Sequence, residues 1–255
     1  MDFSLAGMLS GVLVIGSRIS GLMLFAPFMS NVAIPPRVKA MLVVLVTAVL
    51  YPVFAGRFET VPVARWPFLL GTELLVGVAI GITTNLVFDA AQMAGQVMSV
   101  QMGYSLVNIL DPTTQVDTTV LSVYMQTMTV LIFLSMDVHH WILRAVARSF
   151  VYLPPGSATA NAAFTAQLLR VGGSVLETGI QIAAPVLAAT IIADLLLGLL
   201  AKASPQMPLI FLGPAIKSLF GLLLMSAALR YWPDLFGRLF ENSFGLMEQA
   251  LHLAR

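Results

Sequence analysis

An all-α membrane fold is predicted by three features of the sequence: its apolar excess, the length of its apolar runs, and the turn residues that separate them. Hydrophobic residues make up 58% of the 255 and charged residues only 10%, against roughly 45–50% and about 25% in a typical soluble domain. Runs of about 20 apolar residues are what a helix needs to cross a hydrocarbon layer roughly 30 Å thick. Strands are not indicated, because the runs are long and rarely alternate, and helices satisfy every peptide group within lipid.

Taken in order, apolar segments cover about 3 to 29, 40 to 56, 67 to 100, 119 to 136, 172 to 201 and 209 to 232. The first follows Met1-Asp2-Phe3-Ser4, which lacks the basic start of a cleavable signal, so this helix is expected to be retained. Between the first and second, Asn31 to Lys39 holds Pro35-Pro36, a turn signal. The third is too long for one simple crossing, and its later half, Asp89 to Met102, is rich in Gln and Met and should face protein or water. The Pro154-Pro155-Gly156 turn opens a stretch of small residues, and Ser204 to Pro208 is expected to close a tight helical hairpin. From Pro233, Phe236, Phe240, Phe244, Met247 and Leu251 recur at helical spacing opposite Arg238, Glu241 and Gln249. That pattern predicts an amphipathic helix lying on a surface or a partner.

With six crossings, Arg57, Arg65, Arg144, Arg148, Arg170, Arg230, Arg238 and Arg255 fall on the side of both termini, and Arg37, Lys39 and Lys202 on the other. The excess of positive charge predicts cytoplasmic termini. A net charge of +1 with scattered Lys and Arg gives no nucleic-acid stripe. The chain has no cysteine, which removes disulfides, thiol catalysis and thiolate-bound metals.

Arg18, Glu73, Asp89, Glu177, Asp194 and Lys217 lie inside apolar segments, where an ionisable group is costly unless paired or solvated. Spread over several segments, they read as helix-pairing charges rather than as one proton relay; Arg18 is expected to pair with an acid. Small residues four apart recur at Gly7 and Gly11, Ser17 and Gly21, Gly77 and Gly81, and Ala91 and Gly95. Such pairs let helix backbones approach closely. Gln92 to Gly103 combines amides with thioethers, which suits either a pore lining or an adaptable packing surface. The polar stretch Tyr104 to Thr119, with Asp111-Pro112 and Asp117, must sit in water or a lined cavity. His139-His140 beside Asp137 raises a metal site, but adjacent helical positions point about 100° apart. With no His-Glu-x-x-His motif, no metal and no cofactor is expected. Nucleophile and phosphate-loop motifs are missing as well, so no catalytic residue is assigned.

In sequence order, a set of these motifs resembles the FliR/SctT family of type III secretion export-gate subunits. It comprises Arg18 with Pro27, the NVAIPPRVK turn, Glu73 with Gly77 and Gly81, AGQVMSVQMG from Ala94, Asp111-Pro112 and DVHHWILRAVARSF from Asp137. It ends with IAAPVLAATIIADLLLGLLAKASPQMP from Ile182 and Gly213-Pro214 with Lys217. The resemblance implies a non-enzymatic, pore-forming subunit of the flagellar export gate. Its partners would be FliP-like, FliQ-like and FlhB-like membrane subunits in a hetero-oligomer, with lipid around it and no nucleic acid. The complex would pass unfolded flagellar proteins across the bacterial inner membrane within the basal body, and many of its helices would sit above the bilayer plane. Residues 1–171 would be the FliP-like part, 172–232 a FliQ-like hairpin and 233–255 the amphipathic tail. The loop 103–119 would be a plug, so Met98, Met102, Gly103, Tyr104, Asn108, Asp111, Pro112 and Asp117 are the candidate pore and plug residues. Arg18, Glu73, Glu177, Asp194 and Lys217 are the helix-pairing charges. Two other classes compete: a secondary transporter with Glu73, Glu177 and Asp194 as ligands, and an intramembrane enzyme around Asp137 and the histidine pair.

Overall fold

The computed structural model describes residues 5–27, 34–54, 65–104, 119–158, 161–204 and 209–254. Among them the chain is all-α, as the apolar pattern predicts, and forms eight helices: α1 (Leu5–Phe25), α2 (Pro36–Phe54), α3 (Trp66–Gln101), α4 (Val120–Ser135), α5 (Val138–Tyr152), α6 (Ala162–Ala203), α7 (Leu209–Ala228) and α8 (Trp232–Leu253). Four of these, α1, α2, α3 and α6, are long and apolar enough to cross a membrane, or up to six spans exist if α4–α5 and α7–α8 each count as one bent span. The hairpin turn expected at Ser204 to Pro208 and most of the 103–119 loop lie outside the described residues.

Two helices exceed what a simple crossing requires. α3 runs for 36 residues, roughly 54 Å at 1.5 Å per residue, against a hydrocarbon thickness of about 30 Å. α6 runs for 42, and it starts ten residues before the apolar run that announces it. The reason is local: Asn161 Oδ1 accepts the Phe164 amide at 2.7 Å, which caps the helix start. Gln167, Arg170, Gly172 and Gly173 then break the apolar pattern without breaking the helix.

α5 does not stand out in the apolar pattern because half its surface is polar. Val138, Ile142, Ala145, Val146, Ser149 and Phe150 are buried, while His140, Arg144 and Arg148 face outward. An amphipathic helix of this kind carries too much charge for a hydropathy window yet holds a full apolar stripe. α8 is amphipathic as the spacing predicts, with Arg238, Glu241 and Gln249 exposed, and the surface it lies on belongs to its own chain. Phe236, Phe240, Met247 and Leu251 are all buried within the chain itself. Toward the end of α8, Trp141 of α5 meets Phe244 edge-on at 5.8 Å between centroids, and Tyr152 packs on His252 at 5.3 Å. Asn161 Nδ2 donates to the Leu253 carbonyl at 2.7 Å, which satisfies one of the orphan acceptors at the helix end. α8 is thus folded onto an amphipathic partner in its own chain.

Residue contacts divide the chain into two compact units. The first is Met1–Leu86, Asp137–Gly172 and Phe240–Arg255; the second is Val87–Met136 and Gly173–Leu239. The first unit is centred on the crossing of α1 with the first half of α3, where the small residues act. A Cβ added at Gly77 would collide with the Arg18 carbonyl, and one at Gly21 with the Leu74 carbonyl. One at Gly81 would sit 2.8 Å from the Leu22 oxygen. The Ser17 hydroxyl donates to the Leu70 carbonyl at 2.8 Å across the same seam. Backbone therefore lies on backbone, as small residues permit in a medium that gives no hydrophobic drive.

In the second unit, the later half of α3 does the same with α4. A Cβ at Gly95 would lie 2.7 Å from the Leu121 oxygen and the Ser122 nitrogen, and Ala90, Ala91 and Ala94 beside it are fully buried. The start of α4 is fixed by Thr119, whose hydroxyl accepts the Ser122 amide at 3.2 Å.

Candidate functional site

The first cluster lies inside the first unit and is built on Arg18 and Glu73, both with 0% of their side chains exposed. Arg18 Nε and Nη2 each lie 2.7 Å from Glu73 Oε2. Nη1 donates to Ser149 Oγ at 3.0 Å, and Nη2 to the Leu153 carbonyl at 3.0 Å. The guanidinium carbon also sits 4.1 Å from the centroid of the Phe150 ring, a cation–π contact that gains strength where water is excluded. Phe54 of α2 in turn packs on Phe150 at 5.2 Å. Glu73 spends its other oxygen, Oε1, on the Gly156 amide at 3.1 Å. That amide is presented by a turn with φ of 80° at Gly156, a conformation favoured for glycine, and a Cβ there would also press on Leu69 at 2.8 Å.

Such a cluster is chemically quiet. Both charges are matched, and no face of either is left for a solute. What it can do is fix geometry: one guanidinium fork ties α1 to α3 and to the C-terminal end of α5. The Arg18 pairing places an acid where the sequence left the partner open. Ser149, Leu153, Phe150 and Gly156 were missed, because two of them act through main-chain atoms and none carries charge. The Ser149-Phe150 end of the DVHHWILRAVARSF run and the Pro154-Pro155-Gly156 turn were the visible trace of them.

The second cluster lies in the second unit. Lys217 Nζ of α7 contacts Asp194 Oδ1 of α6 at 2.7 Å, and Gln101 Nε2 of α3 reaches Asp194 Oδ2 at 3.4 Å. Unlike the first pair, this one is partly open, with 18% of the Lys217 and 45% of the Asp194 side chain exposed. Nearby Met98 and Met102 are buried, at 1% exposure each. Met102 lies flat on bare backbone: a Cβ at Gly221 of α7 would sit 2.6 Å from its sulfur. Gly103 has φ of 89°, and a Cβ there would be 2.9 Å from Pro214 Cβ. The end of α3 is therefore pinned to α7 by small residues and a thioether. Gln92, Gln96 and Tyr104 are half-buried.

Glu177 stands apart, exposed on α6, and makes no ion pair among the described residues. Asn108, Asp111, Pro112 and Asp117 lie outside the described residues. Of the three acids of the transporter reading, Glu73 is consumed by Arg18 and Gly156, while Glu177 and Asp194 stand roughly 25 Å apart along α6.

The third cluster is the Asp137, His139 and His140 group at the start of α5. Helical spacing alone sets the two histidines on different faces, but the structure brings their rings to 4.1 Å between centroids.

Comparison with known proteins adds the family. The chain is 29% identical to the flagellar biosynthetic protein FliR of Escherichia coli (strain K12), over 90% of this chain and 88% of that protein. It is 30% identical to the protein of the same name from Pectobacterium carotovorum subsp. carotovorum, over 92% of this chain and 90% of the relative. A more distant relative is the surface presentation of antigens protein SpaR of Shigella sonnei, 25% identical over 82% of this chain and 80% of that protein. The family model described as bacterial export proteins, family 1, matches residues 9–243, nearly the whole chain, so this membrane protein belongs to that family.

Proposed function

We propose that the chain is a structural, pore-forming subunit of the flagellar type III export gate in the bacterial inner membrane. It assembles there with FliP-like, FliQ-like and FlhB-like subunits and passes unfolded flagellar proteins, without catalysing a reaction of its own. The observation that carries this reading is the end-to-end likeness to proteins named for flagellar biosynthesis. The surface supports it. On α2, Met41, Val44 and Val53 are each more than two-thirds exposed, and on α6 Leu195, Leu196 and Leu199 are all exposed. Apolar area on that scale needs lipid or protein against it. At Gly172, Gly173 and Gly198 of α6, an added Cβ would meet nothing within 4 Å, which leaves room for close approach of another helix.

In this reading residues 1–171 take the FliP-like role, 172–232 the FliQ-like hairpin, 233–255 form the amphipathic tail, and 103–119 form the plug. Met98, Met102 and Gly103 anchor the entry to that plug, and Asn108, Asp111, Pro112 and Asp117 belong to it. The paired charges hold helices in register and take no part in transport.

The test has two arms. Extraction in mild detergent should yield the chain in a complex with unrelated small membrane subunits; recovery as a lone monomer with solute-dependent turnover would refute the assembly. Deleting residues 104–118 should raise the ion conductance of the assembled complex. Unchanged conductance in a complex of full composition would refute the plug.

A further inference from the structure

We propose that Asp137, His139 and His140 form a binding site for one divalent transition-metal ion of the zinc or copper class. Cβ directions one residue apart on a helix do diverge by about 100°, but long rings can return toward each other. Asp137 Oδ1 lies 3.9 Å from His139 Nε2 and 3.7 Å from His140 Nδ1. One ligand atom from each of the three falls within 4.8 Å of the other two.

The backbone explains the convergence. Asp137 precedes the first residue of α5 in the left-handed region, at φ of 55° and ψ of 28°, and its side chain makes no capping hydrogen bond. An aspartate at this position ordinarily accepts an amide of the first turn. Here the carboxylate is turned to the two imidazoles instead. Asp137 is the one non-glycine residue with positive φ among the described residues.

Two imidazole nitrogens and one carboxylate oxygen are a donor set that suits zinc and copper, and copper binds such sites more tightly. Around zinc, with bonds of about 2.0–2.2 Å, tetrahedral ligand atoms stand roughly 3.3 Å apart. The two spacings from Asp137 need to close by about 0.5 Å, and the histidine–histidine spacing, within 4.8 Å, by at most about 1.5 Å. That is a small rotation for side chains that are 70%, 41% and 57% exposed for Asp137, His139 and His140. The same exposure gives the ion a path in and leaves its remaining positions to water. Held at three points, the ion would fasten the turn residue Asp137 to the first turn of α5.

The test uses the full chain purified with its companion subunits through an affinity tag free of histidine. Calorimetric titration with Zn2+ should show one ion per chain. Asp137→Asn, His139→Gln and His140→Gln should each weaken binding at least tenfold, and the triple variant should abolish it. His252→Gln, remote in sequence and packed on Tyr152, should leave binding unchanged. Unaltered helicity and subunit composition will confirm that each variant folds. A second measurement needs no variant: one equivalent of Cu2+ on the wild-type complex should give an electron paramagnetic resonance spectrum with coupling to two imidazole nitrogens. Zinc uptake equal in the wild type and the triple variant would overturn the site, as would a copper spectrum without nitrogen coupling.

Discussion

Replacing Glu73 by Gln strips the counter-ion from a guanidinium that has no access to solvent. Leaving one charge of a buried pair uncompensated costs about 3–5 kcal/mol, so E73Q should destabilise the chain by that amount. R18M should cost about the same, because it leaves the carboxylate buried alone. The double variant removes both charges together. Gln at that position can still accept the Gly156 amide through its carbonyl, and Met fills the space of the arginine stem. Ser149 keeps a partner, since its hydroxyl also donates to the Val146 carbonyl at 2.7 Å. The Leu153 carbonyl, held by Arg18 Nη2, loses a donor, and the new amide NH2 stands where Oε2 faced the arginine, each at about 1–3 kcal/mol. R18M/E73Q should therefore cost well under the sum of the two single variants, and the double-mutant cycle should show a coupling of at least about 3 kcal/mol. Unfolding of the detergent-solubilised chain by SDS titration, followed by helicity, measures all four corners. If the double variant falls at the sum of the singles, or the singles cost under about 1 kcal/mol, the pair is not the lock described here.

The glycine seam gives a contrast within one residue type. Gly77→Ala should cost about 1–3 kcal/mol by overpacking α1 against α3, because the new carbon meets the Arg18 backbone. Gly172→Ala, in open space on α6, should stabilise the isolated chain by up to about 1 kcal/mol through helix propensity. The same unfolding assay reads both, and equal effects would refute the packing argument. Thr119→Ala should remove the cap of α4 and cost about 1 kcal/mol. Hydrogen exchange should report it as faster exchange at the Ser122 amide; unchanged protection there would show that the hydroxyl is not the cap.

The helical class and the approximate place of most segments were legible because lipid-scale apolar runs leave few alternatives. The α1–α3 seam was legible too, in Ser17, Gly21, Gly77 and Gly81, since small residues four apart advertise close backbones. α5 was not read as an element: His139, His140, Arg144 and Arg148 dilute its hydropathy, while its buried stripe is visible only at helical period. The early start of α6 was hidden for a related reason, as it depends on one Asn161 side chain rather than on composition. At the charge clusters, sequence could supply the residues that need partners but not the partners. Arg18 and Glu73 are 55 positions apart, and no local period links them. The main-chain groups of Leu153 and Gly156 carry no mark in the sequence at all. The approach of the two histidine rings was hidden for a third reason: helix geometry fixes where side chains begin, not where long rings end.

The reach of the Arg18 cluster along the chain bears on how the protein is made. Glu73 emerges 55 residues after Arg18 and Ser149 131 residues after it. At about 5–20 residues per second, those are delays of roughly 3–11 s and 7–26 s. During that interval α1 carries a lone cation whose placement at mid-bilayer costs about 2.5–3.5 kcal/mol on an insertion scale. A nascent α1 inserted at that depth would therefore lack its neutralising contacts until the middle of the polypeptide arrives.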